Sequence, residues 1–366
     1  MSEPTPTVDS STNPSFPKGH HGVWERRVLF LSLIALMIYV GIAAVNTVRE
    51  KETLRQTEDR TVASAGLKGA GQKGLSAKFT DKQGRLLADP PASSDQWINP
   101  DTIVVAHIAG VDETPGTSWP QWESRLARAT GKKVVDQVYN NSADQIDAAA
   151  SGKVTLLALH AADAPFLVNN YGFEPLAVLG DQSGINGNRL DLIVSADSPI
   201  AKPADLKGHR LVCTVPSSVT GYRAAIAVLM QDQALRPNVD YEIIWSLGQK
   251  RSITGVAEKK YEAAAVSDEK LQSLVADGTI DASKFKIIYQ SPVIPRTTIG
   301  CFYNLNPSVA DQLRQAILSP SASDATTAPD TMRFLQADYK RDFPFVRTID
   351  DQFDPRFDAQ KAAHAD

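Results

Sequence analysis

The residues Arg210-Leu211-Val212-Cys213-Thr214-Val215-Pro216-Ser217-Ser218-Val219-Thr220-Gly221-Tyr222 decide how this chain is read. Arg210 to Val215 is a run of strand formers, and Tyr222 to Asp232 is helix-compatible, so the Ser/Thr-rich turn between them opens a helix. A helix start has unpaired N–H groups and the positive end of the macrodipole, and hydroxyls beside it add donors that can turn toward an anion. Ser and Thr are also the ordinary capping residues. The stretch alone therefore supports both an anion site and a plain capped helix.

Working outward, strand and helix signals alternate. Thr102–His107, Lys133–Val138, Val154–Leu159, Glu174–Leu179 and Leu190–Ser195 read as strands. Trp119–Gly131, Ser142–Ser151 and Ala161–Tyr171 read as the helices between them. Such alternation predicts a parallel or mixed α/β sheet covered on both faces. After Ser195 a second unit begins, with strands at Arg210–Val215, Glu242–Trp245, Ala263–Val266 and Lys286–Tyr289. Thr298–Tyr303 returns to the first sheet, and Pro307–Leu318 is an amphipathic helix. Two lobes joined by crossings near Ser195–Ser198 and Gln290–Pro292 give a cleft whose width can change. Ala77–Ala88 reads as a small hairpin, and Thr331–Phe357 as an aromatic-rich segment packing on the core or on a partner.

The neighbours of the Ser217 turn carry a resemblance. Ser198-Pro199-Ile200 and Asp205-Leu206-Lys207-Gly208 precede it, and Ala263-Ala264-Ala265-Val266 and Ser291-Pro292-Val293-Ile294-Pro295 follow it. In order and spacing these segments resemble the phosphate/phosphite/phosphonate-type substrate-binding proteins of ABC importers, over roughly Thr102 to Leu318. The resemblance implies a two-lobed, type II periplasmic-binding-protein fold and an ABC permease as partner. It puts Ser217, Ser218, Val219 and Thr220 in the oxyanion-binding stretch, gives Gly221 close backbone approach, and packs Tyr222 behind. Departures accompany it. Gln249 stands where the family commonly has His, and Asp268 or Glu269 keeps an acid near the Ala-rich strand end. Thr297 is all that replaces the acid after Ile-Pro, and His160-Ala161-Ala162 replaces an aromatic and Gly-Pro element. Losing those carboxylates disfavours an aminophosphonate and favours a simpler oxyanion.

Composition bounds the function. The 366 residues carry 38 basic and 42 acidic side chains, a net charge of −4 without a basic block, which argues against nucleic acid. No nucleophile elbow, phosphate loop or dinucleotide fingerprint is present, and the six His show no metal-ligand spacing. The expectation is a binding protein and not an enzyme, without cofactor or metal. The alternative is a sensing or scaffold domain on the same fold, uncoupled from transport. Cys213 and Cys301 both lie in apolar runs and read as buried free thiols.

Val28 to Val45, VLFLSLIALMIYVGIAAV, carries no charge and is long enough to cross a bilayer. It exceeds a signal-peptide core, and bulky Ile42 two residues before Ala44 opposes cleavage, so it reads as an uncleaved anchor. The expected organisation is a disordered tail over 1–27, a transmembrane helix over 28–48, and a juxtamembrane helix and linker over 49–101. Lobe 1 follows over 102–195, lobe 2 over 196–290, the rest of lobe 1 over 291–345, and a C-terminal tail over 346–366. This places a single-pass anchor in the cell (inner) membrane with the binding domain on the periplasmic side.

Overall fold

The computed structural model describes residues 30–31, 33–34, 36–37, 39–41, 74–108, 119–319 and 332–353. It divides into one unit ending at Thr57 and another beginning at Glu58. In the first unit the described residues are helical, and Phe30, Leu31, Leu33, Leu36, Met37, Tyr39 and Val40 are all exposed. Among the described residues no helix is long and apolar enough to cross a membrane. The expected 1–27 tail, the remainder of the 28–48 segment, residues 49–73 and residues 354–366 lie outside the described residues.

The second unit is built on two sheets. The first lobe opens with β1 (Thr102–Ile108), β2 (Lys133–Tyr139), β3 (Leu156–His160), β4 (Phe173–Asp181) and the short β5 (Gly184–Ile185). After β6 (Gly187–Asn188) the second lobe contains β7 (Leu190–Ser195), β8 (Arg210–Cys213), β9 (Glu242–Trp245), β10 (Ala263–Ser267) and β11 (Phe285–Gln290). The chain returns through β12 (Ile294–Pro295) to β13 (Thr297–Phe302) and later β14 (Arg333–Gln336). The sheet orders are β14-β4-β13-β3-β1-β2 and β11-β7-β10-β8-β9, and β6 pairs with β12 as a separate ribbon. β3 and β10 are central and almost wholly buried, which is why they read as unbroken apolar runs while the edge strand β2 is mostly exposed.

Helices cover both sheets, and their ends follow local chemistry. The Asn141 side chain accepts the Asp144 N–H to start Ser142–Ala150, and Pro165 enters the first turn of Ala164–Tyr171. That helix stops at Gly172, whose φ of +70° few other residues adopt; a Cβ there would also meet the Tyr303 ring. Cys213 and Cys301 are free and buried in different sheets; burial pushes the Cys301 thiol up to about 12 and the Cys213 thiol higher still.

Three expectations are corrected. β7 pairs antiparallel with β10 and β11, so Leu190–Ser195 belongs to the second lobe. The chain therefore crosses at 187–189, ahead of β7, and not at Ser195–Ser198. Its return runs through Ser291–Arg296, where the Ser291 hydroxyl accepts the Leu190 N–H at 2.9 Å. Residues 77–88 form turns instead of a hairpin, because the Asp81 carboxylate accepts the Arg85 and Leu86 N–H groups and curls the loop on itself. Residues 346–353 are no tail. The helix Pro344–Asp350 packs on 161–171 of the first lobe and on Ala224–Gln233 of the second, burying Val346, Ile349 and Phe353.

Candidate functional site

The helix start at Ser218 is wider than an α-helix. Residues Val219–Arg223 make a π turn, in which the Arg223 N–H donates to the Ser218 carbonyl five residues back at 3.0 Å, before the α-helix Ala224–Gln233 continues it. The Ser218 hydroxyl accepts the Gly221 N–H at 3.0 Å, so it serves as the cap. The Val219 and Thr220 N–H groups have no acceptor among the described residues. They are the unpaired donors of this turn.

Gly221 fits here because it has no side chain. A Cβ would press on Thr214 Oγ1 and come within 2.7 Å of Ser218 Oγ. Tyr222 is fully buried behind the turn, 4.9 Å from the Trp245 ring and 5.5 Å edge-on to Phe353, and burial holds its hydroxyl well above the usual tyrosine range.

A cleft of about 340 Å³ opens in front of this turn. It is lined by His160 and Ala162 from the end of β3, Asn188 from β6, Val219 and Thr220 from the turn, and Ile294, Pro295 and Arg296 from the return. Both lobes and both crossings contribute. His160 and the turn follow the carboxyl ends of β3 and β8, where ligands collect in α/β sheets.

The residues singled out in the sequence have different places. His160, Val219 and Thr220 line the cleft. Gln249 supports it from behind: its Nε2 donates to Thr220 Oγ1 at 3.4 Å while its Oε1 accepts the Ser267 N–H at 3.0 Å. Thr297 is buried in register with His160. Ser217 is exposed and, like Ser218, lies outside the lining. The two acids do other work. Asp268 accepts the Arg189 N–H at 2.8 Å and fastens the first crossing, and Glu269 accepts from Arg296 at 2.8 Å. His107, the other strand-end histidine, is tied to Asp136 of the neighbouring strand at 3.0 Å.

Two features escaped the sequence. Arg296 lines the cleft, its Nη2 shared between Glu269 and Asn188, while its Nε is buried without a partner among the described residues. The signal is a cation directly after Ile294-Pro295, close to where the resemblance implies an acid. The second is an ion pair between the lobes. Arg223 Nη1 and Nη2 each donate to Asp163 Oδ1 at 3.2 Å, with side chains only 11% and 3% exposed. Three hydroxyls beside the site, those of Thr214, Ser267 and Thr297, are likewise buried without partners among the described residues. Also among these residues, no three His, Cys, Asp or Glu side chains are grouped to hold a metal ion.

Residues 113–342 match the family model of the periplasmic substrate-binding protein of phosphonate ABC transporters. The chain belongs to that family. Its members bind small ligands such as phosphonates outside the cytoplasm and work with an ABC permease. Similar solved structures include XAC2383 from Xanthomonas citri bound to ATP, with 17% identity, TM-score 0.54, and coverage of 72% of this chain and 99% of that one. A binding-protein component of an ABC phosphonate transporter from Pseudomonas aeruginosa shares 19% identity at TM-score 0.45, covering 68% and 85%. PhnD1 from Prochlorococcus marinus in complex with methylphosphonate shares 11% at TM-score 0.44, covering 69% and 97%. The two-lobed periplasmic-binding-protein fold expected from the sequence agrees with this family and with the two sheets of the second unit. No curated protein matches the sequence.

Within this family fold the crossing carries one titratable group with a clear consequence. Asp191, buried in β7, accepts from Gln290 Nε2 at 2.9 Å. Burial raises its carboxyl to about 6 against the lowering effect of that bond; the Asp268 charge adds to the rise and Arg189 opposes it. A raised acid makes the folded protein hold its proton longer than the unfolded chain does. Its contribution to stability is therefore complete below the ordinary carboxylate range near about 4 and is lost as pH climbs to about 6. Asp191→Asn is expected to flatten that decline, measured by urea unfolding between pH 4 and 7.

Proposed function

We propose that this chain is a membrane-anchored, extracytoplasmic binding protein that takes a small oxyanion of the phosphate, phosphite or phosphonate class into the interlobe cleft and delivers it to an ABC permease. The observation that carries the reading is the cleft-facing turn at Val219–Thr220, whose two unpaired N–H groups share one cavity with Arg296 and His160. Each charge-assisted hydrogen bond to such an anion contributes about 1.5–3 kcal/mol, so four or five support micromolar binding after ordering costs. Ligand capture requires no bond to be made or broken. It acts by favouring the lobe arrangement in which both walls touch the ligand, the crossings at 187–189 and 291–296 supplying the hinge.

Thr220→Ala is the direct test. Full-length protein in detergent is expected to melt several degrees higher with millimolar methylphosphonate or phosphate, and the variant is expected to lose most of that rise. An unchanged rise in the variant would remove the Thr220 hydroxyl from the site, since the variant keeps both backbone N–H groups, and no rise in either protein would overturn the oxyanion reading.

The anchor reading rests on the uncharged run from Val28 to Val45 and on the exposure of its described apolar side chains, which water alone would disfavour. Intact-mass analysis of protein purified from membranes is expected to find the amino terminus at Met1 or Ser2. A terminus near Val45 would refute an uncleaved anchor.

A further inference from the structure

We infer that the ligand of this cleft carries two acidic groups: a phosphorus oxyanion held by the Val219–Thr220 turn, and a second anionic group on a short organic arm held by Arg296. The inference rests on the oxyanion reading above and narrows it.

Size is the first argument. Liquid water occupies about 30 Å³ per molecule, so the 340 Å³ cleft has the room of about ten waters. Inorganic phosphate has five heavy atoms and leaves room in the cleft as it stands, part of which lobe closure would take up. Apolar side chains lie along the same walls, Ala162, Val219, Ile294 and Pro295, and suit a short carbon chain.

Charge is the second. None of the described residues lining the cleft bears a carboxylate, while Arg296 and His160 both line it. The nearby acids are engaged. Asp163 is bound to Arg223, Asp268 accepts the Arg189 N–H, and Glu269 is bound to Arg296. An ammonium group would meet the positive turn on one side and Arg296 on the other, with no acid to receive it. An anionic arm finds the opposite.

Arg296 has capacity to spare. A guanidinium carries five N–H donors in a planar fork. Both of its side-chain bonds, to Asn188 at 3.1 Å and Glu269 at 2.8 Å, leave from Nη2, and Nε is buried without a partner among the described residues. The hydroxyl of the next residue, Thr297, is 2% exposed and equally unpartnered. Glu269, 60% exposed, is a tether that an incoming carboxylate or phosphate can displace into water.

Calorimetric titration of the full-length protein with methylphosphonate, 2-aminoethylphosphonate and 3-phosphonopropionate tests this. The phosphonocarboxylate is expected to bind at least tenfold tighter than methylphosphonate, and the aminophosphonate weakest. Arg296→Gln should cut the ratio of the first two affinities below threefold. Exposed Glu269→Gln, which does not depend on refolding a buried site, should raise that ratio at least twofold. Equal or tighter binding of the aminophosphonate, or a ratio that neither substitution moves, overturns this inference while leaving the oxyanion cleft standing. Failure of all three to bind overturns the oxyanion reading and this inference with it.

Discussion

Asp163→Ala is expected to lower the unfolding free energy by about 3–5 kcal/mol, with a fall in Tm on the order of 10 °C, because it leaves a buried guanidinium without its counter-charge. Asp163 follows β3 in the first lobe, and Arg223 closes the π turn of the second, so the pair joins the lobes where the cleft ends. Both side chains are too far from water for solvent to replace the lost partner. Reversing the logic gives the control. Asp163→Leu combined with Arg223→Met removes both charges and is expected to recover most of the loss, since a buried ion pair replaced by apolar groups of similar volume is often neutral or stabilising. Urea unfolding of the single and double variants forms the cycle that checks it. A single-variant loss below 1 kcal/mol would mean that the pair is solvated in solution and that the lobes separate freely.

Gly221→Ala should abolish ligand binding and destabilise the fold by about 1–3 kcal/mol, the range for forcing an extra methyl into a packed site. The added carbon would press on Thr214 Oγ1, which is buried and fixed by a β-branched side chain, and on the Ser218 hydroxyl that caps the turn. Either displacement moves the Val219 and Thr220 N–H groups off their aim. Thr214→Ala in the Gly221→Ala background removes the closest obstruction and is expected to restore part of the stability, measured by thermal unfolding. A Gly221→Ala protein that binds methylphosphonate with unchanged affinity would show that the turn tolerates widening and does not position the ligand.

Much of the second lobe was legible from residue pattern. The strand run ending at Val215, the hydroxyl-rich turn and the apolar helix after it follow from backbone preferences that act within a few residues, and the structure forms them there. The same holds for the Ala-rich strand β10, whose small buried side chains let helices approach both faces. The arrangement at the cleft was legible only in part. Val219, Thr220 and His160 meet in the cavity, but the two acids carried over from the resemblance hold a crossing and Arg296 instead.

The assignment of Leu190–Ser195 illustrates the boundary. An apolar run of this length makes a buried strand in either lobe, and nothing within it says which sheet it joins. That is set by antiparallel pairing with residues about seventy or more positions away. The Asp163–Arg223 pair, sixty residues apart, and the helix Pro344–Asp350 that bridges the lobes are invisible for the same reason.

Local pattern therefore carried the α/β alternation, the family resemblance and the helix start that lines the cleft, because hydrogen bonding and burial periodicity are encoded over a few neighbouring residues. Tertiary structure alone decided where the chain crosses between lobes, which charges neutralise one another, and that Arg296 is the cation turned to the cleft, because those depend on which distant surfaces pack together.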